Sequence, residues 1–250
     1  MNGLRALQVA VLALGWVTVA PAASQEAPDA TADAGSTWAG YVLVASDYVY
    51  RGVSQSQRKP VLQLDLEFEH ASGFYAGAYA SNVDYTSPGT PSDGVHIEFA
   101  TRAGWRTGVS TWGALEVSAE YMHYPGARAD MGYDYVEYGV ALDIGGHVSL
   151  HIGHAPDYYG LGGAATDYGG DLAWELGDYS FGVGAGYYDQ HDLVGDGYSY
   201  LDLTASRRFG PVRAEVGVSE TFGYSQAIAE VNGEPRLARR HARMALAVEF

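Results

Sequence analysis

The chain has 250 residues, a formal net charge of -16, no cysteine, 33 glycines and 20 tyrosines. Its 14 basic residues are too few for a nucleic-acid-binding protein, because phosphate neutralisation needs a basic surface, and the lack of cysteine excludes a disulfide framework, a thiolate metal site and a thiol nucleophile. The abundance of glycine and tyrosine favours β-structure over helix.

The amino-terminal segment has the pattern of an export signal. Arg5 precedes an apolar run from Val9 to Ala20, which is shorter than the ~20 residues that a transmembrane helix needs. Small residues follow the run, as signal peptidase requires. The chain therefore divides into a signal peptide over residues 1–22, or 1–24 by an alternative cut, a flexible leader over 23–36 and a barrel domain over 37–250.

Apolar and polar side chains alternate through most of the remaining chain. The clearest run is Val61 to Glu69, in which leucine and phenylalanine share one parity and polar residues the other. This alternation predicts strands with one apolar and one polar face, whereas a helix would mix the two sets. Twelve strands are predicted, at about residues 38–46, 61–69, 74–82, 95–106, 115–121, 136–144, 148–152, 172–176, 181–188, 200–204, 212–218 and 242–250.

The connections between these runs are alternately long and short, giving six long loops and five tight turns. This arrangement is typical of a bacterial outer-membrane barrel with both termini on the periplasmic side. An open sheet edge would leave backbone hydrogen-bonding groups unpaired in lipid. An up-and-down sheet with an even number of strands avoids this by closing into a barrel. We therefore expect an all-β fold, a single closed antiparallel transmembrane β-barrel of about 12 strands. A soluble, lipocalin-like barrel with its apolar face inward is the structural alternative.

Two further features favour a membrane barrel. Aromatic residues near strand ends are expected to form the interfacial girdles. The expected girdle residues are Trp38, Tyr48, Tyr50, Tyr75, Trp105, Trp112, Tyr121, Tyr138, Trp174, Tyr187 and Tyr188. The chain also ends on a strand at Phe250 with alternate apolar residues before it, and this resembles the signal read by the outer-membrane insertion machinery.

A distinctive motif follows the first predicted strand, and its most characteristic positions are Ser46, Asp47, Tyr48, Arg51, Gly52 and Ser54. With the segments 60–69, 72–77 and 81–84 it resembles the TorF family, whose members are taken to be porins of proteobacterial outer membranes. The resemblance covers residues 42–85. It implies a barrel in the outer membrane of a Gram-negative bacterium with a porin role, and it supplies neither a proven substrate nor catalytic residues.

The polar faces of the predicted strands are mainly acidic, with thirteen acids against four arginines. Carboxylate-lined pores favour cations, and unpaired carboxylates favour water in the lumen. The residues expected to line the pore are Asp65, Glu67, Glu98, Arg102, Glu116, Glu120, Glu137, Asp171, Asp202, Arg213, Glu215 and Arg243. The alternative is a closed lumen crossed by salt-bridge ladders.

Arg51 and Gly52 end the first predicted strand, and two interpretations are equally good. In the first, Arg51 points inward and shapes the mouth of the barrel. In the second, Gly52 takes a left-handed turn and Arg51 is solvated.

Motifs for other chemistry are weak. His147 and His151 are about 13 Å apart on a strand, too far to share one ion, and the glycine-rich segment 160–165 lacks the following helix of a dinucleotide site. We expect no metal, no cofactor and no enzymatic activity, with outer-membrane lipid and small solutes as partners. The predicted function is passive diffusion of small cationic or zwitterionic solutes. The alternatives are a non-conducting structural or adhesive barrel with binding loops and a barrel hydrolase with a Ser/His or Asp/His pair at the rim.

Overall fold

A computed structural model describes residues 35–86, 89, 92–128 and 132–250. The predicted signal peptide and all but the last two residues of the predicted leader lie outside the described residues.

Twelve antiparallel strands form one closed barrel, which confirms the predicted fold class. Neighbours along the chain pair with each other, and the first strand closes the barrel by pairing with the last, with Val42 opposite Val248. A two-strand hairpin, β2–β3, lies in the first long connection. The strands are β1 (Ser36–Ala45), β2 (Val49–Tyr50), β3 (Val53–Ser54), β4 (Val61–His70), β5 (Phe74–Asn82), β6 (Ile97–Ser110), β7 (Gly113–His123), β8 (Tyr135–Ile144), β9 (Val148–Ala155), β10 (Ala165–Leu176), β11 (Tyr179–Gln190), β12 (Asp196–Phe209), β13 (Val212–Phe222) and β14 (His241–Glu249).

Short helices lie only in the long connections of the described chain. They are a 3-10 turn (Tyr158–Gly160), α1 (His191–Val194), α2 (Gln226–Asn232) and α3 (Pro235–Ala238). Ser225 caps α2 by accepting a hydrogen bond from the Ile228 amide. Among the described residues, no helix has the length and apolar character required to cross a membrane.

The two faces of the barrel differ in polarity, as the alternation predicted. Leu64, Val140 and Leu203 are about half exposed on the outer face, whereas Glu98 and Arg213 are buried on the inner face. A closed sheet with an apolar exterior and a charged interior is a transmembrane barrel of the outer-membrane type. The lipocalin-like alternative is wrong, because it requires the opposite polarity.

The girdle prediction is wrong for four of its tyrosines. Tyr48, Tyr50, Tyr75 and Tyr188 are buried inside the barrel. The first two belong to a loop that turns inward, and the other two have the inward parity of their strands. The other seven are exposed on the outer face: Trp38, Trp105, Trp112, Tyr121, Tyr138, Trp174 and Tyr187.

Some strands are longer than their apolar alternation indicates. β6 continues to Ser110, four residues beyond the predicted end, and β10 begins at Ala165 rather than at Leu172. At the start of β10 the outward positions carry threonine, tyrosine and glycine. A ladder of backbone hydrogen bonds needs no apolar side chains, so a strand can extend beyond its apolar stretch.

Candidate functional site: the inward first loop and the charged inner wall

The first loop, residues 46–60, turns into the barrel instead of projecting from it. Val53, Ser56 and Arg51 are each about 1% exposed. Gly52 is in the left-handed region at φ 79°, and a Cβ there would lie 2.6 Å from the Thr221 side chain on β13. Only glycine combines this backbone conformation with so close an approach to the barrel wall.

Arg51 joins the first loop to the opposite wall. Its guanidinium donates to both carboxylate oxygens of Glu137 on β8, at 3.1 and 2.7 Å, and its Nε lies 3.1 Å from Asp167 on β10. The rings of Tyr50 and Tyr188 lie 4.5 and 4.4 Å from the guanidinium carbon. Burial on its own lowers the pKa of Arg51, but its surroundings, with the Glu137 carboxylate foremost, raise that pKa well above its ordinary value.

This geometry decides between the two interpretations of Arg51. The left-handed turn is present, since Arg51 itself has φ 48° and Gly52 follows with φ 79°. The solvated arginine of the second interpretation is wrong, because Arg51 is buried in the interior and paired with two carboxylates. The turn is therefore the device that directs the side chain inward.

Other residues of the motif hold the shape of the first loop. Asp47 accepts hydrogen bonds from the hydroxyls of Ser54 and Ser56 at 2.6 and 2.8 Å. Ser46 accepts from the Met244 amide at 3.0 Å and so fastens the start of the loop to β14. The motif that carried the family resemblance is thus a set of contacts that folds one loop into the barrel.

Asp47 also faces a histidine, which bears on the hydrolase alternative. His241 Nε2 lies 3.3 Å from Asp47 Oδ2, and both side chains are buried. Ser54 and Ser56 donate to Asp47 rather than to His241. A nucleophilic serine must instead pass its proton to the imidazole, so this group lacks the order of a Ser–His–Asp triad.

The predicted inward side chains lie on the inner face of the barrel in two arginine clusters and a remaining set of acids. The first cluster joins β4, β6 and β7: Arg102 donates to Asp65 at 2.7 and 2.9 Å and to Glu67 at 3.1 Å. Arg106, 3.8 Å above the Tyr75 ring, binds Glu67 and Glu116 at 2.6 and 2.7 Å.

The second cluster joins β12, β13 and β14. Arg243 binds Asp202 at 2.7 and 2.8 Å, and Arg213 binds Glu215 at 2.5 Å and Glu249 at 2.7 Å. Both clusters, like Arg51, carry bidentate or shared arginine–carboxylate contacts of the strong, charge-assisted kind.

The inner wall also carries acids outside these clusters. Glu120 and Asp171 face inward and are buried, and Glu175 is exposed near the end of β10 with the short turn. Asp171 lies 3.7 Å from the His151 ring. The inner face carries fourteen acids on its strands: Asp65, Glu67, Glu69, Glu98, Glu116, Glu120, Glu137, Asp143, Asp167, Asp171, Glu175, Asp202, Glu215 and Glu249. Five arginines on the strands and in the first loop face these acids. A sixth, Arg208 at the rim, lies 3.0 Å from Glu249.

Sequence reasoning missed two contributors to this wall. Asp167 receives Arg51, the Tyr200 hydroxyl and His151, at 3.1, 3.0 and 3.2 Å. Its parity matches that of Asp171, so starting the strand seven residues earlier would have found it. Arg208 likewise shares the parity of Asp202 on β12.

Tyrosines fill the half of the interior nearest the long loops. Glu98 accepts hydrogen bonds from the hydroxyls of Tyr48, Tyr124 and Tyr85, at 2.8, 3.0 and 3.1 Å. Tyr159 packs against Tyr85 and several further tyrosines at ring separations of 4.2 to 6.4 Å. Tyrosine was expected at the lipid interface. The composition gives the number of tyrosines but not their inward positions.

The long loops add an apolar layer above the tyrosines. Ile228 on α2 and Leu237 on α3 are 0% and 3% exposed, and both join the buried cluster that contains Val53 of the first loop. At the short-turn end the inward side chains are more open, and the Glu69 side chain is 39% exposed. The interior is therefore filled by side chains at the long-loop end and more exposed to solvent at the short-turn end.

His147 and His151, which were considered for a metal, and the neighbouring His154 have separate partners. His147 contacts the Ala173 carbonyl, His151 contacts Asp167, and His154 contacts the Thr166 hydroxyl. Within the described ranges no group of three or more histidine and carboxylate side chains is arranged to hold a metal ion.

A family model described as a bacterial protein of unknown function, Gcw_chp, matches residues 29–229. The chain belongs to this family. The TorF name stays a prediction. No curated protein sequence matches the chain.

Solved structures of outer-membrane porins share the fold. The KdgM porin matches with a TM-score of 0.52 and 10% identity, over 86% of this chain and 98% of that one. The NanC porin matches with a TM-score of 0.53 and 8% identity, over 86% and 99%. A KdgM porin in complex with disordered oligogalacturonate matches with a TM-score of 0.51 and 11% identity, over the same shares as KdgM alone. At these identities the likeness establishes the architecture, a porin-type barrel.

Proposed function

We propose that the protein is an outer-membrane channel for small cationic or zwitterionic solutes, narrowed by its first loop. The observation that carries the proposal is a charged interior crossed by a buried arginine bridge, from Arg51 on the loop to Glu137 and Asp167 on the wall. The strand acids also outnumber the arginines, and an unpaired buried carboxylate is costly to desolvate, which supports water in the lumen over a core sealed by salt bridges.

The sign of the wall supports the preference for cations. Fourteen strand acids face six arginines. Glu120 lies opposite Arg102 in the strand register, but Arg102 donates its hydrogen bonds to Asp65 and Glu67, and Asp171 has a histidine rather than an arginine beside it. A narrow lumen of low dielectric focuses the field of such excess charge on passing ions. The KdgM porin was solved with oligogalacturonate, a polyanion. The acidic wall of this chain favours cargo of the opposite charge.

The residues expected to line the pore divide by role in this proposal. Acids outside the clusters attract the solute, whereas Arg102, Arg213 and Arg243 with their carboxylates set transverse fields across the lumen. The first loop sets the narrowest point. Because a paired carboxylate is largely compensated by its arginine, Glu120 and Asp171 are expected to contribute most to selectivity.

Planar-bilayer recording tests the proposal. The purified barrel is expected to give discrete conductance steps with a reversal potential that favours cations in a salt gradient. In the E120Q/D171N variant the cation-to-anion permeability ratio is expected to fall severalfold. The matched control is E230Q, which removes an exposed acid of α2 and is expected to leave the ratio unchanged. A silent bilayer, or a ratio insensitive to E120Q/D171N, would contradict the proposal.

A second candidate is a non-conducting barrel whose loops bind a surface partner. The observation that favours it is the apolar layer, in which Ile228, Leu237 and Val53 are almost fully buried at the long-loop end of the barrel. This candidate predicts a silent bilayer for the wild type and for variants that release the first loop. Conductance steps in either would count against it.

A further inference from the structure

The basic residues outside the lumen are concentrated on one sector of the rim. Five of the 14 basic residues lie in two short segments, 58–59 at the end of the first loop and 236–240 in the connection before β14. These basic residues, called the basic rim below, are Arg58, Lys59, Arg236, Arg239 and Arg240. Three of these bases are paired with acids, Lys59 with Asp84, Arg236 with Glu234 and Arg240 with Glu220, so the five bases exceed these partners by two positive charges in a chain of net charge -16.

The basic rim lies at the level where lipid headgroups meet the barrel. Arg240 binds Glu220, which follows the exposed apolar Val218 on the outward parity of β13. Lys59 precedes the exposed Leu62 of β4 and binds Asp84 at 2.5 Å. Both bases therefore sit just beyond the lipid-facing band. Because long loops are extracellular and short turns periplasmic in such barrels, this is the outer leaflet.

Two of the bases are free of carboxylates in the described chain. Arg58 donates to the carbonyls of Arg236 and Arg239, an uncharged set of acceptors, and Arg239 is exposed. Gln57 and Arg58 are both in the left-handed region, at φ 57° and 59°. Two successive non-glycine residues in this region are strained, and the hydrogen bonds from Arg58 to the two carbonyls help to maintain that conformation.

The opposite sector of the same rim has a different character. There the outward positions carry acids and aromatics, such as Asp134, which accepts from Tyr121 and His123, and Asp189, which accepts from His191. In Asp134, burial alone would raise the pKa, yet those hydrogen bonds lower it below its usual range, so the acid stays ionised. Anionic headgroups are therefore attracted to one side of the barrel and repelled by the other.

We propose that the basic rim binds a phosphorylated glycolipid of the outer leaflet. Guanidinium groups match phosphate oxygens in geometry and charge, and clustered arginine and lysine beside an apolar span are the usual pattern for anionic headgroups. The acyl chains of the same lipid lie against the apolar face formed by Val218, Met244 and Leu62. This combined charge and apolar surface fits a lipid, whereas a free anion would use the bases alone.

Native mass spectrometry of the full barrel in a neutral detergent tests this binding, with bis-phosphorylated lipid A as the probe. At about 1 kcal/mol per base, the R239Q/R240Q variant is expected to bind about thirtyfold more weakly than the wild type. The matched control is R207Q, which removes an exposed outward arginine at the short-turn end of β12 and is expected to bind as the wild type does. E220Q frees Arg240 from its carboxylate and is expected to bind more tightly.

Further arms identify the source of the phosphate. Dephosphorylated lipid A is expected to lose the binding, and inorganic phosphate at millimolar concentration is expected to leave lipid A bound. The proposal is overturned if R239Q/R240Q binds lipid A like the wild type, or if dephosphorylated lipid A binds equally well. Displacement by inorganic phosphate would assign the rim to a free anion and would also overturn it. Conductance plays no part in this readout, so the result is independent of the proposed channel function.

Discussion

Replacing Arg51 with glutamine removes the cation that ties the first loop to the opposite wall. The guanidinium makes two hydrogen bonds to Glu137 and a 3.1 Å contact to Asp167, and both carboxylates are buried. Removing one partner of a buried ion pair typically costs about 3–5 kcal/mol, because the remaining charge is left uncompensated. If that cost falls on the inward position of the loop, the ratio of inward to released loop falls by about 10² to 10⁴.

Single-channel recording and limited proteolysis measure this release together. The R51Q barrel is expected to conduct in larger steps than the wild type, and protease added on the loop side is expected to cut within residues 46–60. R58Q is the matched control, since Arg58 lies in the same loop but is exposed and contacts backbone carbonyls. The R51Q/E137Q double variant is expected to recover part of the loss, because it removes one of the stranded charges.

Two results would refute this reasoning. The first is R51Q with wild-type conductance and an uncut loop, which would mean that the other contacts of the loop suffice to hold it. The second is equal conductance gain in R51Q and R58Q, which would mean that any charge change near the mouth produces the effect.

Three further predictions concern the same interior. A Cβ on Gly153 would lie 2.4 Å from Glu137 Oε1, so G153A is expected to displace that carboxylate and enlarge the conductance steps; G108A, where a Cβ meets open space, is the control. Y48F removes one of three tyrosine hydroxyls from Glu98 and is expected to lower the free energy of unfolding in a urea titration by about 1.5–3 kcal/mol. The folded barrel is expected to change its gel mobility on boiling, and unchanged mobility would contradict a closed barrel.

The sequence contained enough information for the barrel but not for its interior. Alternation sorts side chains by face, so the inward position of Glu98, Arg102 and Arg213 followed from parity alone. Parity does not give height or cross-strand distance. The pairing of Arg102 with Asp65, two strands away, depends on the register and on the shared path around the barrel.

The first loop shows a different limit. Its motif was visible in the sequence, but local patterns describe only the turn at Arg51 and Gly52. The partners that fix the loop, Glu137 and Asp167, lie 86 and 116 residues further along the chain. Contacts of such sequence separation arise only when the barrel closes, so turn chemistry predicted the left-handed backbone and left the direction of the side chain open.

The abundance of glycine has a role in the interior as well as in the turns. A Cβ on Gly77 would lie 2.9 Å from the Arg102 guanidinium, one on Gly217 would lie 2.8 Å from that of Arg243, and one on Gly153 would crowd Arg51. Each arginine head therefore rests on the bare backbone of a neighbouring strand. A barrel of twelve strands has limited room, and a planar guanidinium that lies flat against glycine takes the least of it. Because glycine has no side chain, the wall can carry arginine–carboxylate bridges without filling the lumen. Substituting these glycines is expected to alter the lumen diameter at a smaller perturbation than is needed to disrupt the fold.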